Sequence, residues 1–190
     1  MLIAHTESRN LRFRPYTPND IQDTYELTLT VGLESMPTID ELERRVHSGG
    51  PGYRTVFMIE LCSTGEVVGY CSLKGPEPAG HMFVAIYTDV ERTSYVVGAE
   101  AMNLLVNYAF ANWEEVRKVY FVTTDASIER FETAIFRIPR EATLRDHAYF
   151  RGRFWDHYWY AIYRDAWTEH VAPYVNRTIL GRNRRGKRPR

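Results

Sequence analysis

Alternation of apolar and polar positions predicts most of the strands in this chain. LRFRPY, at 11–16, alternates apolar and basic residues as a half-buried strand does. TVFMIELC and VVGYCSLKG are joined by the short turn STGE, which predicts a hairpin. HMFVAIYTDV, KVYFVTT, ATLRDHAYF and FWDHYWYAIY predict four more strands, the last two joined by a turn at Gly152.

Helical spacing of apolar residues predicts helices between these strands. The Pro-Asn-Asp sequence at 18–20 predicts the start of a helix over IQDTYELTLT. Thr38 and Glu41 have capping-box spacing ahead of IDELERRVHS. A third helix is predicted from Gly98 to about residue 113, and a short one over 127–134.

The predicted order is β, α, α, β, β, β, α, β, α, β, β, which a mixed sheet with helices on both faces would bury. A chain of 190 residues, 44% hydrophobic and 25% charged, fits one globular domain. The first ten residues lack the basic-then-apolar pattern of a secretion signal, and no apolar run reaches membrane-spanning length. We therefore expect a cytoplasmic protein that does not enter a membrane.

The net charge of zero conceals a basic C-terminus. The last fourteen residues contain seven basic side chains and no acidic one, namely Arg177, Arg182, Arg184, Arg185, Lys187, Arg188 and Arg190. The rest of the chain has 17 basic residues against 24 acidic ones, a net charge of −7. We predict a domain over 1–173 and a disordered basic tail over 174–190, which either stays solvated or contacts an acidic partner. Nucleic-acid binding is the weaker alternative.

The two cysteines and the histidines do not form a metal-binding pattern. There is no CxxC motif and no Cys/His cluster, so we expect no zinc or other metal. Cys62 and Cys71 lie at opposite ends of the predicted hairpin, which makes pairing conceivable, but two buried free thiols are the favoured interpretation.

The order of elements resembles that of the GNAT superfamily of acyl-CoA-dependent N-acyltransferases. The closing segment is similar to that of the subgroup that acetylates ribosomal-protein N-termini and includes many small-molecule acetyltransferases. The similar pieces are Leu144-Arg145-Asp146, the Gly152 turn, Trp155-Asp156 and Arg164-Asp165-Ala166-Trp167. LRFRPYTPNDIQDTYEL and TGEVVGYCSL also resemble this subgroup, so the likeness covers about 11–167. It implies an α/β (mixed α+β) fold with six to seven strands and helices on both faces.

The resemblance implies an acyl-donor site in DVERTSYVVGAEAM, at 89–102. In the family, backbone N–H groups at this helix N-terminus hold the donor pyrophosphate. The family pattern is Arg or Gln, two residues, Gly, one residue, then Gly or Ala. Thr93, Val96 and Gly98 stand at those positions, so only the last one matches. The candidate donor-binding residues are Tyr87, Thr88, Asp89, Val90, Thr93, Ser94, Tyr95, Val96, Val97, Gly98 and Ala99.

The expected donor is acetyl-CoA or another acyl-CoA. The degenerate loop also leaves open a phosphopantetheine arm on an acyl carrier protein, because such an arm carries one phosphate rather than a nucleotide diphosphate. Carrier proteins are generally acidic, and the basic tail would complement one.

The resemblance also directs attention to four candidate catalytic residues. Relatives place a glutamate on the fourth strand at the position of Phe83, and His81 is the titratable residue nearby, either a base or a solvated histidine. Relatives place a tyrosine acid at the position of Phe131, whereas Ser127 is the candidate proton donor here, or a helix N-cap.

Asp146 and His147 are the other two candidates. Side chains alternate along a strand, so we expect only one of these neighbours to face the acceptor cleft. In the family the fourth strand also separates from the fifth, and a backbone N–H within 85–88 is expected to polarise the thioester carbonyl.

The sequence thus predicts an N-acyltransferase that moves a short acyl group from a pantetheine thioester to a small-molecule amine. With no clear base, proximity and carbonyl polarisation are expected to do most of the catalysis. The alternatives are acetylation of a protein N-terminus and a non-catalytic module that binds an acyl donor or a partner. We expect a monomer or a homodimer.

Overall fold

The computed structural model describes residues 2–31, 37–47, 53–89, 92–124, 138–150 and 152–183. The strands are β1 (Leu11–Pro15), β2 (Tyr53–Leu61), β3 (Val67–Glu77), β4 (His81–Thr88), β5 (Lys118–Thr123), β6 (Arg140–Phe150) and β7 (Arg153–Tyr163). The helices are α1 (Ile21–Val31), α2 (Ile39–His47), α3 (Tyr95–Asn112) and α4 (Ala172–Asn183). A helical turn at Arg164–Ala166 and a π-helical segment at Trp167–Val171 precede α4.

The seven strands form one mixed sheet in the order β1-β2-β3-β4-β5-β7-β6. Only β4 and β5 run parallel among these pairs, and the others are antiparallel. The seven predicted strands are therefore confirmed, as is the mixed α/β class. The short helix predicted over 127–134 falls outside the described residues.

One face of the sheet is sealed by α3 and the C-terminal helical segment. On this face Met82 of β4 and Val119 of β5 are fully buried. The α3 residues that recur at helical spacing, such as Leu105 and Ala109, are also fully buried. Trp167 joins the same core at 2% exposure, so the chain after β7 belongs to the packed domain.

The opposite face is only partly covered. Helix α1 packs over β3 and β4, where the Thr28 hydroxyl lies 3.0 Å from the Tyr70 hydroxyl. Farther along the sheet, Val122 of β5 and Tyr163 of β7 are 37% and 39% exposed. This partly exposed surface over β4, β5 and β7 is called the open face below.

Arg164 fastens the end of β7 to the α3–β5 connection. Its guanidinium donates to the carbonyl oxygens of Val116 at 2.6 Å and Phe110 at 2.9 Å. It also donates to the Trp113 carbonyl. Burial lowers the pKa of Arg164. The Arg-Asp-Ala-Trp segment, which carried part of the family resemblance, therefore closes the fold.

The structure changes the predicted end of the domain. Helix α4 runs to Asn183, so part of the segment expected to be a disordered tail from residue 174 is helical. Val175 in this helix is 4% exposed and belongs to the core cluster. The packed domain thus extends past the predicted boundary at 173.

Both cysteines are free, as expected. Cys71 is fully buried, and burial raises the pKa of its thiol. Cys62 is only half-buried, so the expectation of two buried thiols holds for one of them.

Within the described ranges, no helix combines the length and the apolar character that crossing a membrane would require.

Candidate active site

The parallel strands β4 and β5 separate after three residue pairs. Their ladder joins His81 to Lys118, Met82 to Val119 and Phe83 to Tyr120. Beyond Phe83, β4 remains paired with β3 and β5 remains paired with β7. Alternate backbone N–H and C=O groups of the last part of β4 therefore face a gap instead of a neighbouring strand. This is the strand separation that the family resemblance implied.

Asp89 orders the turn that follows β4. Its backbone N–H donates to the Val68 carbonyl at 3.0 Å. Its own carbonyl accepts from the Thr93 N–H at 3.0 Å and the Thr93 hydroxyl at 2.5 Å. Its carboxylate Oδ1 accepts the Arg92 N–H at 3.2 Å. Asp89, a predicted donor-site residue, thus fixes the direction in which the chain enters α3.

Helix α3 begins at Tyr95, earlier than the predicted start at Gly98. Val96, Val97 and Gly98 consequently lie in its first turn, where the freedom of glycine to adopt positive φ is not used. The extended Ser94 is the N-cap and makes no side-chain capping bond. First-turn N–H groups lack the acceptor four residues back, so this helix end favours an anion.

The loop offers little positive charge to a phosphate. Among its described residues Arg92 is the one cation, and it pairs with Glu66 and lies 3.9 Å from the Asp89 carboxylate. Val96 instead presents a 48% exposed apolar side chain. Phosphate binding here would therefore depend on backbone N–H groups more than on side chains.

The other predicted donor-site residues lie around this turn. Tyr87 packs against Tyr70 with the two rings tilted by 35° and their centroids 4.7 Å apart, and Thr88 ends β4. Ala99 follows Gly98 inside α3. Val90 and the side chain of Tyr95 fall outside the described part of the chain.

His81 is placed at the start of β4, at the end of the ladder remote from the gap. Its ring centroid lies 5.5 Å from those of Phe83 and Tyr120, edge to face in both cases. The structure thus makes His81 part of an aromatic cluster on the open face. Ser127, the candidate proton donor, falls outside the described residues.

Asp146 and His147 lie in an irregular part of β6. The register with β7 shifts between Leu144 and Ala148, and Asp146 has φ of +49°. The Asp146 N–H donates to the Asp156 carboxylate at 2.9 Å. Strict alternation of side chains, on which the sequence argument relied, therefore does not apply here.

The irregularity brings His147 to His157 of β7, with ring centroids 4.9 Å apart. Tyr158, the next residue, pairs with Thr123 at the end of β5, so the two histidines lie toward the gap end of the sheet. The structure therefore places the candidate His147 beside a histidine of the neighbouring strand that was not among the predicted site residues.

A carboxylate network on the open face was not predicted. Glu141 of β6 accepts from Lys118 Nζ at 2.9 and 3.1 Å and from the hydroxyls of Tyr120 and Tyr163. Hydrogen bonds from Tyr120, Tyr163 and Lys118 lower the pKa of Glu141 to about 2. The period-2 spacing of Lys118 and Tyr120 was the available signal, but their partners come from β6 and β7.

Comparison with known proteins agrees with this architecture. The sequence matches no protein-family model and no curated protein. A GNAT-family acetyltransferase from Bacillus anthracis has a TM-score of 0.65 at 15% identity, covering 87% of this chain and 99% of that one. A spermidine N-acetyltransferase variant from Vibrio cholerae has a TM-score of 0.70 at 16% identity, covering 84% and 96%.

A GCN5-related N-acetyltransferase from Brucella melitensis has a TM-score of 0.66 at 20% identity, covering 86% of this chain and 80% of that one. The chain has the GNAT acetyltransferase fold. At these identities the likeness establishes the fold, and the activity has to be argued from the site.

Proposed function

We propose that the protein is an N-acyltransferase that transfers an acetyl-type group from acetyl-CoA to the amine of a small molecule. The observation that carries this proposal is the gap between β4 and β5, bordered by the N-terminus of α3, whose N-cap Ser94 makes no side-chain capping bond. Beyond Phe83, β4 has no ladder with β5 in the described part of the chain, which suits the amide-containing pantetheine arm, and the helix end suits the phosphates.

Acyl transfer needs a polarised carbonyl, a neutral amine and a proton for the leaving thiolate. A backbone N–H of β4 beyond Phe83 would polarise the carbonyl whatever its side chain. The amine nitrogen attacks the thioester carbon, the C–S bond breaks, and the ammonium proton leaves. We assign proton acceptance to His147, supported by His157, because they lie toward the gap end of the sheet while His81 lies at the other end. Ser127 remains the candidate proton donor to the thiolate.

The acceptor is proposed to be a small molecule because one of the similar structures is a spermidine N-acetyltransferase. A protein N-terminus is the alternative that the sequence resemblance left open.

An acyl carrier protein is a second candidate donor, favoured by the pairing of Arg92 with Glu66. Because Glu66 neutralises the Arg92 guanidinium, this loop attracts a diphosphate less strongly than a loop with an available cation would. If the carrier is the donor, acetyl-CoA will shift the melting temperature little, and an acetylated carrier protein will support faster thiol release at equal concentration.

The decisive variant is Ser94→Asp at the N-cap of α3. Aspartate is a good N-cap and favours the helix dipole, so the stability of the free protein should stay equal or rise. The added carboxylate should repel a phosphate at the same place and raise the Kd for acetyl-CoA by about tenfold, following a coupling of ~1.4 kcal/mol. Thermal shift with acetyl-CoA and thiol release with an amine panel measure both effects.

Thr38→Asp is the matched control, since Thr38 caps α2 through its hydroxyl, which accepts the Glu41 N–H at 3.2 Å. It should leave acetyl-CoA binding unchanged. Wild-type protein that shows neither a thermal shift with either donor nor thiol release would refute the proposed function.

A further inference from the structure

Three aromatic rings lie on the open face beside the gap. Phe83 and Tyr120, the last ladder pair of β4 and β5, stack with centroids 5.5 Å apart. Trp159 of β7 contacts both edge to face, at 5.6 Å from Phe83 and 5.8 Å from Tyr120. All three side chains are half-buried. These three residues are called the ring cluster.

The ring cluster lies close to the part of β4 where the thioester and the amine would react in the proposed acyl transfer. Phe83 precedes the gap directly, and Ala85 is two residues farther along β4, about 6.6 Å at strand spacing. The backbone from Ala85 onward is where the thioester carbonyl is expected. An amine joined to an apolar body by two or three bonds could therefore place the body on the cluster and its nitrogen at the gap.

The ammonium group of Lys118 already occupies the position beside the ring cluster where an aromatic face attracts a cation. Lys118 Nζ lies 4.5 Å from the centroid of the Tyr120 ring, so its ammonium uses the cation–π capacity of that ring. It is held there by Glu141, and the hydrogen bond with Tyr120 raises the pKa of Lys118. A second ammonium group of a substrate would meet this charge at close range.

The carboxylates near the cluster give little compensation to a polycation. Glu141 already accepts from one ammonium and two hydroxyl groups. Among β3, β4 and β5 the acidic residue is Glu77, which stands opposite His81, away from the gap. On β7 the acidic residue is Asp156, whose carboxylate already accepts the Asp146 N–H at 2.9 Å. The charge distribution thus suits an acceptor with one amine and an uncharged body.

We infer that the ring cluster is the acceptor subsite and that it selects an arylalkyl monoamine over a polyamine. This inference rests on the proposed function and specifies its substrate class. The aromatic body packs on Phe83, Tyr120 and Trp159, and Lys118 excludes a second positive charge. The inference separates this chain from the spermidine N-acetyltransferase whose fold it shares.

Steady-state acetylation of 2-phenylethylamine and spermidine tests the inference in the wild-type protein. With acetyl-CoA as donor, we expect kcat/KM for 2-phenylethylamine to exceed that for spermidine by about tenfold or more. Lys118→Met should shift the ratio of the two kcat/KM values toward spermidine by about tenfold, since it removes the repelling charge and leaves the Glu141 carboxylate without its ammonium partner.

Phe83→Leu should lower kcat/KM for 2-phenylethylamine about fivefold and leave that for spermidine within about twofold, because only the aryl body uses the ring. The matched control is Phe154→Leu, the same substitution at a 63% exposed position near the β6–β7 turn, which should change neither value. Melting temperatures verify that each variant is folded.

A wild-type preference for spermidine overturns the inference, as does an equal loss for both amines in Phe83→Leu. Binding of acetyl-CoA without turnover of any arylalkylamine also overturns it and leaves the donor site standing. Absence of both donor binding and thiol release is the distinct result that removes the proposed function, and the inference with it.

Discussion

Arg164 shows how one side chain can serve the site without touching it. Its guanidinium satisfies the carbonyls of Phe110 and Val116 and that of Trp113, all at the end of α3 or in the connection to β5. These carbonyls hold the start of β5 in place, and β5 forms one side of the gap. A residue from the segment most similar to the family is thus used for architecture.

Replacing Arg164 with methionine should lower the free energy of unfolding by about 2–4 kcal/mol, because three carbonyls lose a charged donor. Urea unfolding measures the change. Arg177→Met is the matched control, since Arg177 is exposed and donates to one carbonyl, that of Pro173 at 3.2 Å. It should alter stability by about 0.5 kcal/mol or less. Equal effects of the two substitutions would contradict this account of Arg164.

At the scale of the elements, the backbones of β3 and β4 approach each other closely near the end of β4. Gly69 of β3 pairs with Thr88 at the end of β4. A Cβ atom at Gly69 would lie 2.4 Å from the Tyr87 carbonyl oxygen. The absence of a side chain therefore allows the two strands to approach closely where β4 borders the gap.

Gly69→Ala should push β4 away from β3, lower the free energy of unfolding by about 2 kcal/mol or more, and weaken acetyl-CoA binding. Gly65→Ala supplies the comparison. Gly65 has no atom within 4 Å of the added Cβ but has φ of +74°, so this change should cost about 1 kcal/mol through backbone conformation alone. Chemical denaturation and acetyl-CoA titration of both variants distinguish steric displacement from conformational strain.

Sequence pattern predicted the elements better than their pairing. Strands such as β2 and β4 are recognisable because their composition and turns are local signals. The start of α3 was predicted late because Gly98 was taken as the helix entry, although Ser94, a small polar residue of the type that favours the N-cap, directly precedes Tyr95. The β6 irregularity at Asp146 depends on its partner Asp156, and no local signal encodes that contact.

At the scale of the whole molecule, the two sides of the candidate site differ in the same way: one depends on local sequence and the other on contacts between distant segments. The candidate donor side is one contiguous stretch from β4 to α3, so a motif comparison could propose it from the sequence. The acceptor side combines β4, β5, β6 and β7, and its Lys118–Glu141 contact spans 23 positions in the chain. That side required the sheet order, which places β7 between β5 and β6.

The domain boundary yields a prediction at this scale. Val175→Ala in α4 should lower the free energy of unfolding by about 1–2 kcal/mol because it removes buried methyl groups from the core. Its neighbour Tyr174 is 48% exposed, and Tyr174→Ala should cost about 0.5 kcal/mol or less. Thermal unfolding of the two variants measures the difference. Similar small effects would show that α4 is dispensable and that the predicted boundary at 173 was adequate.

The irregularity in β6 has a consequence for the protein in concentrated solution. β6 forms an outer edge of the sheet, and its eleven residues could otherwise present a long row of free backbone groups to another molecule. The left-handed conformation of Asp146 interrupts that row near its middle. The bend that brings His147 to His157 therefore also disfavours pairing of this edge with another molecule, which is the step that starts edge-to-edge aggregation and fibril growth.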